Sequence, residues 1–150
     1  MKNPTRNVNK LLAKAIRIAS VAFENVLDRG DVPYVLHCLH VMNAMPKNDA
    51  ELKIIAVLHD LIEDTEWSFS DLRSEGFSPR VINTLDLLTH RENEEYERYI
   101  ERLSVSPDAT LVKLADLRHN SDIHRMKGLR DKDIAILAKY HKAYDFLKNK

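Results

Sequence analysis

Apolar residues recur every three or four positions along most of this chain, the spacing of helices that bury one face. Val8, Leu11, Leu12, Ala15, Ile16, Ala19, Ala22, Phe23 and Val26 form the first such stripe. They predict a long helix that stops near Gly30, with Pro33 restarting the chain. A second helix is expected over 34–45, ending before Pro46, and a third over about 50–63 with Asp49 as its cap. Ser70 is read as the cap of a short helix, because Glu75 and Gly76 follow it closely. Ser78-Pro79 is a cap followed by a first-turn proline and opens a helix through Leu88. Tyr96, Tyr99, Ile100 and Leu103 mark another, and Ser106-Pro107-Asp108 opens one through about Asp122. Asp131 is expected to cap the last, which carries Ile134, Leu137, Tyr140, His141 and Tyr144. No segment reads convincingly as a strand. The expected fold class is all-α.

Composition narrows the picture without changing it. A chain of 150 residues is long enough to bury a core without staples and fits one domain over 1–150, with no internal repeat or linker. With 44% hydrophobic and 31% charged residues it reads as a soluble globule, and 3 Gly with 5 Pro are too few for a barrel or sandwich. Lys+Arg and Asp+Glu both number 23, so no basic excess points to nucleic acid. No apolar run approaches the roughly 18 residues that span a bilayer, and Met1-Lys2-Asn3-Pro4 is no signal peptide. One cysteine, Cys38, excludes an internal disulfide and suits a reducing, cytoplasmic setting.

The most informative stretch runs over 53–65, Lys-Ile-Ile-Ala-Val-Leu-His-Asp-Leu-Ile-Glu-Asp-Thr. At about 100° per residue on one helix, His59, Glu63, Asp60 and Asp64 fall within an arc of roughly 140°. Ile54, Ile55, Leu58, Leu61 and Ile62 occupy the other side, and small Ala56 leaves room within the polar arc. Three carboxylates beside one imidazole repel each other unless a cation neutralises them. An ordinary solvated amphipathic helix is the competing explanation.

A second helix adds to the metal reading. In Thr110-Leu111-Val112-Lys113-Leu114-Ala115-Asp116-Leu117-Arg118-His119-Asn120, the residues Lys113, Asp116 and Asn120 share an arc of about 60°. A lone Asp in an apolar segment is costly to bury without a partner. The alternative is an exposed Lys-Asp pair at i,i+3, which is worth little. His37, in Pro33-Tyr34-Val35-Leu36-His37-Cys38-Leu39-His40-Val41, is either a core histidine or a ligand. Cys38 lacks the paired spacing of structural zinc sites and has no activating neighbour, so it is set aside.

Taken in this order, His37, then His59-Asp60, then Asp116 resemble the HD phosphohydrolase superfamily. His59-Asp60-Leu61-Ile62-Glu63-Asp64-Thr65 is similar to the "HD…ED" signature of its alarmone (ppGpp) hydrolase branch, the Rel/SpoT-type hydrolase domain and stand-alone small alarmone hydrolases. Pro33-Tyr34-Val35-Leu36-His37 resembles that branch's "PY-x-x-H", and 112–120 resembles its "VKLAD…N". Leu88-Thr89-His90-Arg91, with Tyr96 and Tyr99-Ile100, is similar to small bacterial and phage-type members. The likeness covers roughly 28–140, and no synthetase, TGS or other regulatory domain is expected. Two positions depart from the pattern: Cys38 stands where proline is usual, and the short 28–32 loop offers only Arg29 as a basic, base-contacting residue.

The resemblance implies a single-domain HD-type helical bundle in which His37, His59, Asp60 and Asp116 hold one divalent ion, manganese for preference. Two imidazoles and two carboxylates suit manganese, and also iron or zinc. Glu63 and Asp64 are then placed to orient and deprotonate a water. Lys113 is expected to meet the diphosphate as a point charge, Asn120 the ribose or the ligand Asp116, and Arg29 the base. Tyr140 matches a position near the nucleotide, or is a plain core tyrosine. The implied partner is a small-molecule nucleotide, with neither nucleic acid nor membrane, and the implied reaction is hydrolysis of a guanosine alarmone 3′-diphosphate to pyrophosphate and GDP or GTP. The same metal chemistry on another phosphorylated nucleotide such as NADPH is one alternative, and a silent nucleotide-binding module another. The Glu63-Asp64 pair argues against silence.

Overall fold

The computed structural model describes residues 3–150; Met1 and Lys2 of the polar start lie outside the described residues. Among the described residues nine α-helices follow one another: α1 (Pro4–Ala22), α2 (Val35–Asn43), α3 (Ala50–Leu58), α4 (Leu61–Asp64), α5 (Phe69–Ser74), α6 (Pro79–Leu88), α7 (Tyr96–Leu103), α8 (Pro107–Asn120) and α9 (Asp131–Lys148). A 3₁₀ turn, Ile123–Arg125, precedes α9, and among the described residues the extended pairing is limited to one antiparallel bridge, Leu27 with Pro33. No helix among them is long and apolar enough to cross a membrane. The all-α expectation is met.

The caps account for most of the boundaries. Asp49 accepts from the Leu52 amide at 3.0 Å, and Ser106 from the Ala109 amide at 3.1 Å, each satisfying an orphan donor of a first turn. Pro79 and Pro107 sit in the first turns of α6 and α8, where a missing N–H costs nothing. α3 is the axis of the fold. Leu52 and all five residues from Ile54 to Leu58 are buried, and the helix is flanked by α1, α2, α6 and α8. A helix apolar all round belongs in the middle of a bundle. Truncating one of its aliphatics, Ile55→Ala or Leu58→Ala, is expected to cost about 2–5 kcal/mol.

Four boundaries differ from the sequence reading, each for a local reason. α1 ends at Ala22, well before Gly30, because the chain turns back so that Tyr34 donates to the Val26 carbonyl at 2.8 Å and Leu27 bridges to Pro33. The cap of α5 is Ser68 rather than Ser70: its hydroxyl takes the Asp71 amide, and the Asp71 carboxylate returns to the Ser68 amide at 2.8 Å. Arg130 stands at the cap position of α9, its amide donating to Asp133 at 3.0 Å, and Asp131 is the first helical residue. The fourth difference matters most. The helix expected over 50–63 is broken at His59-Asp60, where the His59 amide reaches only three residues back, to the Ala56 carbonyl at 3.4 Å, and Asp60 adopts φ −100°, ψ 0°. That backbone region is sparsely used and recurs at functional residues.

Candidate metal centre and active-site cavity

Neighbouring residues on an unbroken helix diverge by about 100° and cannot both point at one atom. The kink between α3 and α4 removes that obstacle. The His59 Nε2 and the Asp60 Oδ2 lie 2.9 Å apart and face α2 and α8. From α2 comes His37, from α8 Asp116, and the Asp116 Oδ1 lies 3.0 Å from His37 Nε2 and 3.2 Å from His59 Nε2. One ligand atom from each of His37, His59, Asp60 and Asp116 falls within 4.8 Å of every other. His37, His59 and Asp116 are buried.

The donor set fits a divalent cation. His59 donates Nδ1–H to the Ala56 carbonyl at 2.7 Å, which turns Nε2 towards the carboxylates, where a cation could replace its proton. The His37 Nδ1 lies 2.7 Å from the His119 Nδ1, so one ring donates and the other accepts. Burial, and then the Arg125 charge, lower His119 to about 4, which keeps that ring neutral, and the contact holds His37 with Nε2 towards Asp116. Burial alone would lower the His59 imidazole, yet Asp60 and Asp116 carry it well above its usual value. Burial would raise Asp116, and Lys113 and His59 hold it well below the carboxylate range. Buried Asp116 and partly buried Asp60 thus face two imidazoles, a donor set of two nitrogens and two carboxylates that suits a divalent cation.

Three of the four, His59, Asp60 and Asp116, line a cavity of about 340 Å³. Glu63 and Asp64, on α4, face the same cavity, one turn beyond the kink. Desolvation by the cavity walls, helped by the Asp60 charge, raises both carboxylates above their ordinary values. Glu63 is further held by the His90 amide, which donates to its Oε1. A second cavity of about 450 Å³ adjoins the first, and Tyr34, Asp64, Asn120 and Tyr140 line both.

The positions singled out from sequence now have addresses. His37, His59, Asp60 and Asp116 converge, and Glu63, Asp64, Lys113, Asn120 and Tyr140 stand around the same cavity. Arg29 lies apart, on the adjoining cavity, with its Nη1 3.5 Å from Asp133 Oδ1. Lys113 lines the cavity and also donates Nζ to Asp116 Oδ2 at 2.9 Å, with the side chain 13% exposed. Of the two roles open to Asn120, the geometry displays one, since Nδ2 donates to Asp116 Oδ1 at 2.8 Å. Tyr140 is half-buried and lines both cavities, which a plain core tyrosine does not do.

Sequence reasoning gave no role to three contributors. Tyr34 donates its hydroxyl to Asp60 Oδ2, His119 holds His37, and Lys139 on α9 lines the cavity wall. Tyr34 precedes His37 by three, and His119 follows Asp116 by three, so helical spacing could have raised both. Lys139 carries no such signal.

Comparison with known proteins gives the geometry a context. No family model matches the chain. The bifunctional (p)ppGpp synthase/hydrolase SpoT of Escherichia coli K12 is 30% identical over 123 residues, 74% of this chain and 18% of SpoT. The Drosophila melanogaster protein MESH1, named a guanosine-3′,5′-bis(diphosphate) 3′-pyrophosphohydrolase, is 33% identical over 104 residues, 62% of this chain and 56% of MESH1. The solved structure of a metazoan SpoT orthologue described as hydrolysing ppGpp superposes with a TM-score of 0.74 at 24% identity, covering 91% of this chain and 84% of the other. This chain is an HD-type, ppGpp hydrolase-like domain. A probable GTP pyrophosphokinase of Mycobacterium leprae is also similar, at 28% over 128 residues. The HD-type domain spans 16% and 18% of the length of these two bacterial relatives.

Proposed function

We propose that the domain hydrolyses the 3′-diphosphate of a guanosine alarmone, ppGpp or pppGpp, to pyrophosphate and GDP or GTP. The observation that carries this reading is the convergence of a four-ligand nest and two desolvated carboxylates, Glu63 and Asp64, on one cavity with a second cavity beside it. The names of the relatives, SpoT and MESH1 among them, supply the substrate class. His37, His59, Asp60 and Asp116 are assigned one divalent ion, with manganese the ion expected. Such an ion acidifies a water and offsets the charge that builds on the phosphoryl group.

The chain's own residues do the rest. Glu63 and Asp64, raised towards the working pH, accept the proton of the attacking water. The His90 amide fixes the Glu63 carboxylate so that it meets that water without searching rotamers. Asn120 and Lys113 grip the two oxygens of Asp116 and fix its orientation. His119 and the Ala56 carbonyl set the ring orientations of His37 and His59. Tyr140 separates the phosphate end from the adjoining cavity, where Arg29 stands ready for the base. Attack at the phosphorus next to the ribose 3′-oxygen breaks the P–O bond to that oxygen, which takes a proton, and the diphosphate leaves intact.

Incubation of the protein with manganese and ppGpp, resolved by anion-exchange chromatography, tests the proposal. Pyrophosphate and GDP in equal amounts are expected. Orthophosphate as first product, or turnover of NADPH with ppGpp untouched, would transfer the assignment to another nucleotide, and no turnover of either would leave a binding module.

A further inference from the structure

Four lysine and arginine side chains line the two cavities, and three already have carboxylate partners. Lys113 donates to Asp116 at 2.9 Å, Arg125 donates to Asp28 at 3.0 Å, and Arg29 lies 3.5 Å from Asp133. The fourth, Lys139, has no carboxylate in ion-pair contact among the described residues. Its ammonium lies 4.4 Å from the centroid of the Tyr96 ring and 5.7 Å from that of Tyr140. Lys113 sits in the same way over Tyr99, 5.2 Å from its centroid, and the Tyr96 and Tyr99 rings are 5.9 Å apart. The two lysines thus cover adjacent tyrosines on one wall of the cavity that holds the four-ligand cluster, one neutralised and one not.

A diphosphate bound with its inner phosphate at that cluster must place its outer phosphate further along the cavity. Lys113 already spends one of its three ammonium donors, and much of its charge, on buried Asp116. Lys139 has only aromatic faces to leave, and a charge-assisted contact to phosphate is stronger than an exposed cation–π contact. Its stem projects from α9, which is anchored to the bundle by buried Ala143 and Leu147, so the ammonium swings from a fixed base.

We propose that Lys139 forms the outer-phosphate subsite and makes the cavity selective for a diphosphate over a monophosphate; this rests on the reading above only in placing the inner phosphate at the four-ligand cluster. The role is one of recognition, and inorganic pyrophosphate is its simplest probe. The test is calorimetric titration of the manganese-loaded full chain with pyrophosphate and, separately, orthophosphate, in wild type, Lys139→Met and Lys139→Arg. Methionine keeps the apolar stem over Tyr96 and removes the charge.

Lys139→Met should weaken pyrophosphate binding by roughly tenfold or more, the scale of one charge-assisted contact, and leave orthophosphate unchanged. Lys139→Arg should restore most of the loss. Unchanged pyrophosphate affinity in Lys139→Met, equal weakening of both anions, or no pyrophosphate binding by the wild type would each overturn the proposal. Turnover of ppGpp by the wild type separates the two readings. If ppGpp is hydrolysed while Lys139→Met binds pyrophosphate normally, the subsite fails and the activity stands. If pyrophosphate behaves as expected while ppGpp is untouched, the subsite stands and the substrate is another diphosphate.

Discussion

Lys113→Met separates holding the site together from binding the substrate. Lys113 and Asp116 form a pair whose side chains are 13% and 4% exposed, with Nζ on Oδ2 at 2.9 Å. Without the ammonium, Asp116 remains buried and keeps only the Asn120 amide and the two imidazoles as donors. Breaking a buried pair by removing one partner costs about 3–5 kcal/mol, and the surviving donors put the expected loss at the lower end, about 3 kcal/mol. For a chain of this size 1 kcal/mol moves the melting temperature by about 2–4 °C, so the metal-free variant should melt roughly 6–12 °C below wild type. The Asp116 oxygen beside the two imidazoles is Oδ1, whereas Lys113 holds Oδ2. A divalent cation therefore returns part of the missing charge in the variant without displacing anything in the wild type. The manganese-induced rise in melting temperature should be larger in Lys113→Met than in wild type. Circular dichroism melts in chelator and then in excess manganese read both quantities. A metal-free variant that melts within about 2 °C of wild type, or an equal manganese shift in both proteins, would refute the assignment.

Glu63→Gln and Asp64→Asn should each lower turnover by roughly 10²–10⁴-fold while manganese binding, followed by titration, stays intact. In the metal-free protein burial and the Asp60 charge raise both carboxylates, so their titration, followed by carboxyl carbon NMR, should lie above that of exposed carboxylates and move down when manganese is added. Gly30→Ala would put a Cβ 2.6 Å from the Arg125 carbonyl, forcing the 28–32 loop off the 123–125 turn; a raised KM for the nucleotide with kcat little changed is expected. Glu94, held by Arg102 at 2.7 and 2.8 Å, has its carboxyl lowered from 4.5 to about 2, so its stabilisation is present above pH 4.5 and is lost as pH falls towards 2. Urea melts of Glu94→Gln should show lower stability at pH 7 and a shallower loss across that interval.

How far the sequence carried these conclusions depends on whether the information was local. Capping pairs such as Ser78-Pro79 and Ser106-Pro107 act within one turn, and the helices they open stand where expected. The arc shared by Lys113, Asp116 and Asn120 is likewise local, and both outer residues do reach the central carboxylate. The break at His59-Asp60 left no glycine or proline in the sequence, so a straight helix over 50–63 was the natural reading. The wide arc it produced, roughly 140°, was itself a sign of a break, since residues spread so far around a straight helix cannot close on one ion.

Helical spacing could place His119 on the Asp116 face, but the partner it meets there comes from a distant segment and was out of reach. His119 meets His37 across 82 positions, and no periodicity within α2 or α8 foretells a ring-to-ring contact of 2.7 Å. The same limit explains the reassignment of the lysines. A helical wheel places Lys113 on the face of Asp116 but cannot tell whether its charge is spent there or held out to a ligand. At 2.9 Å one of its donors is given to Asp116. With much of that charge shared with Asp116, the cavity draws its unpaired cation from α9, some twenty residues further along, which brings Lys139 to the neighbouring tyrosine. The chain thus divides two tasks between two lysines that sit on adjacent rings: one stabilises the buried carboxylate, and the other remains free for the substrate.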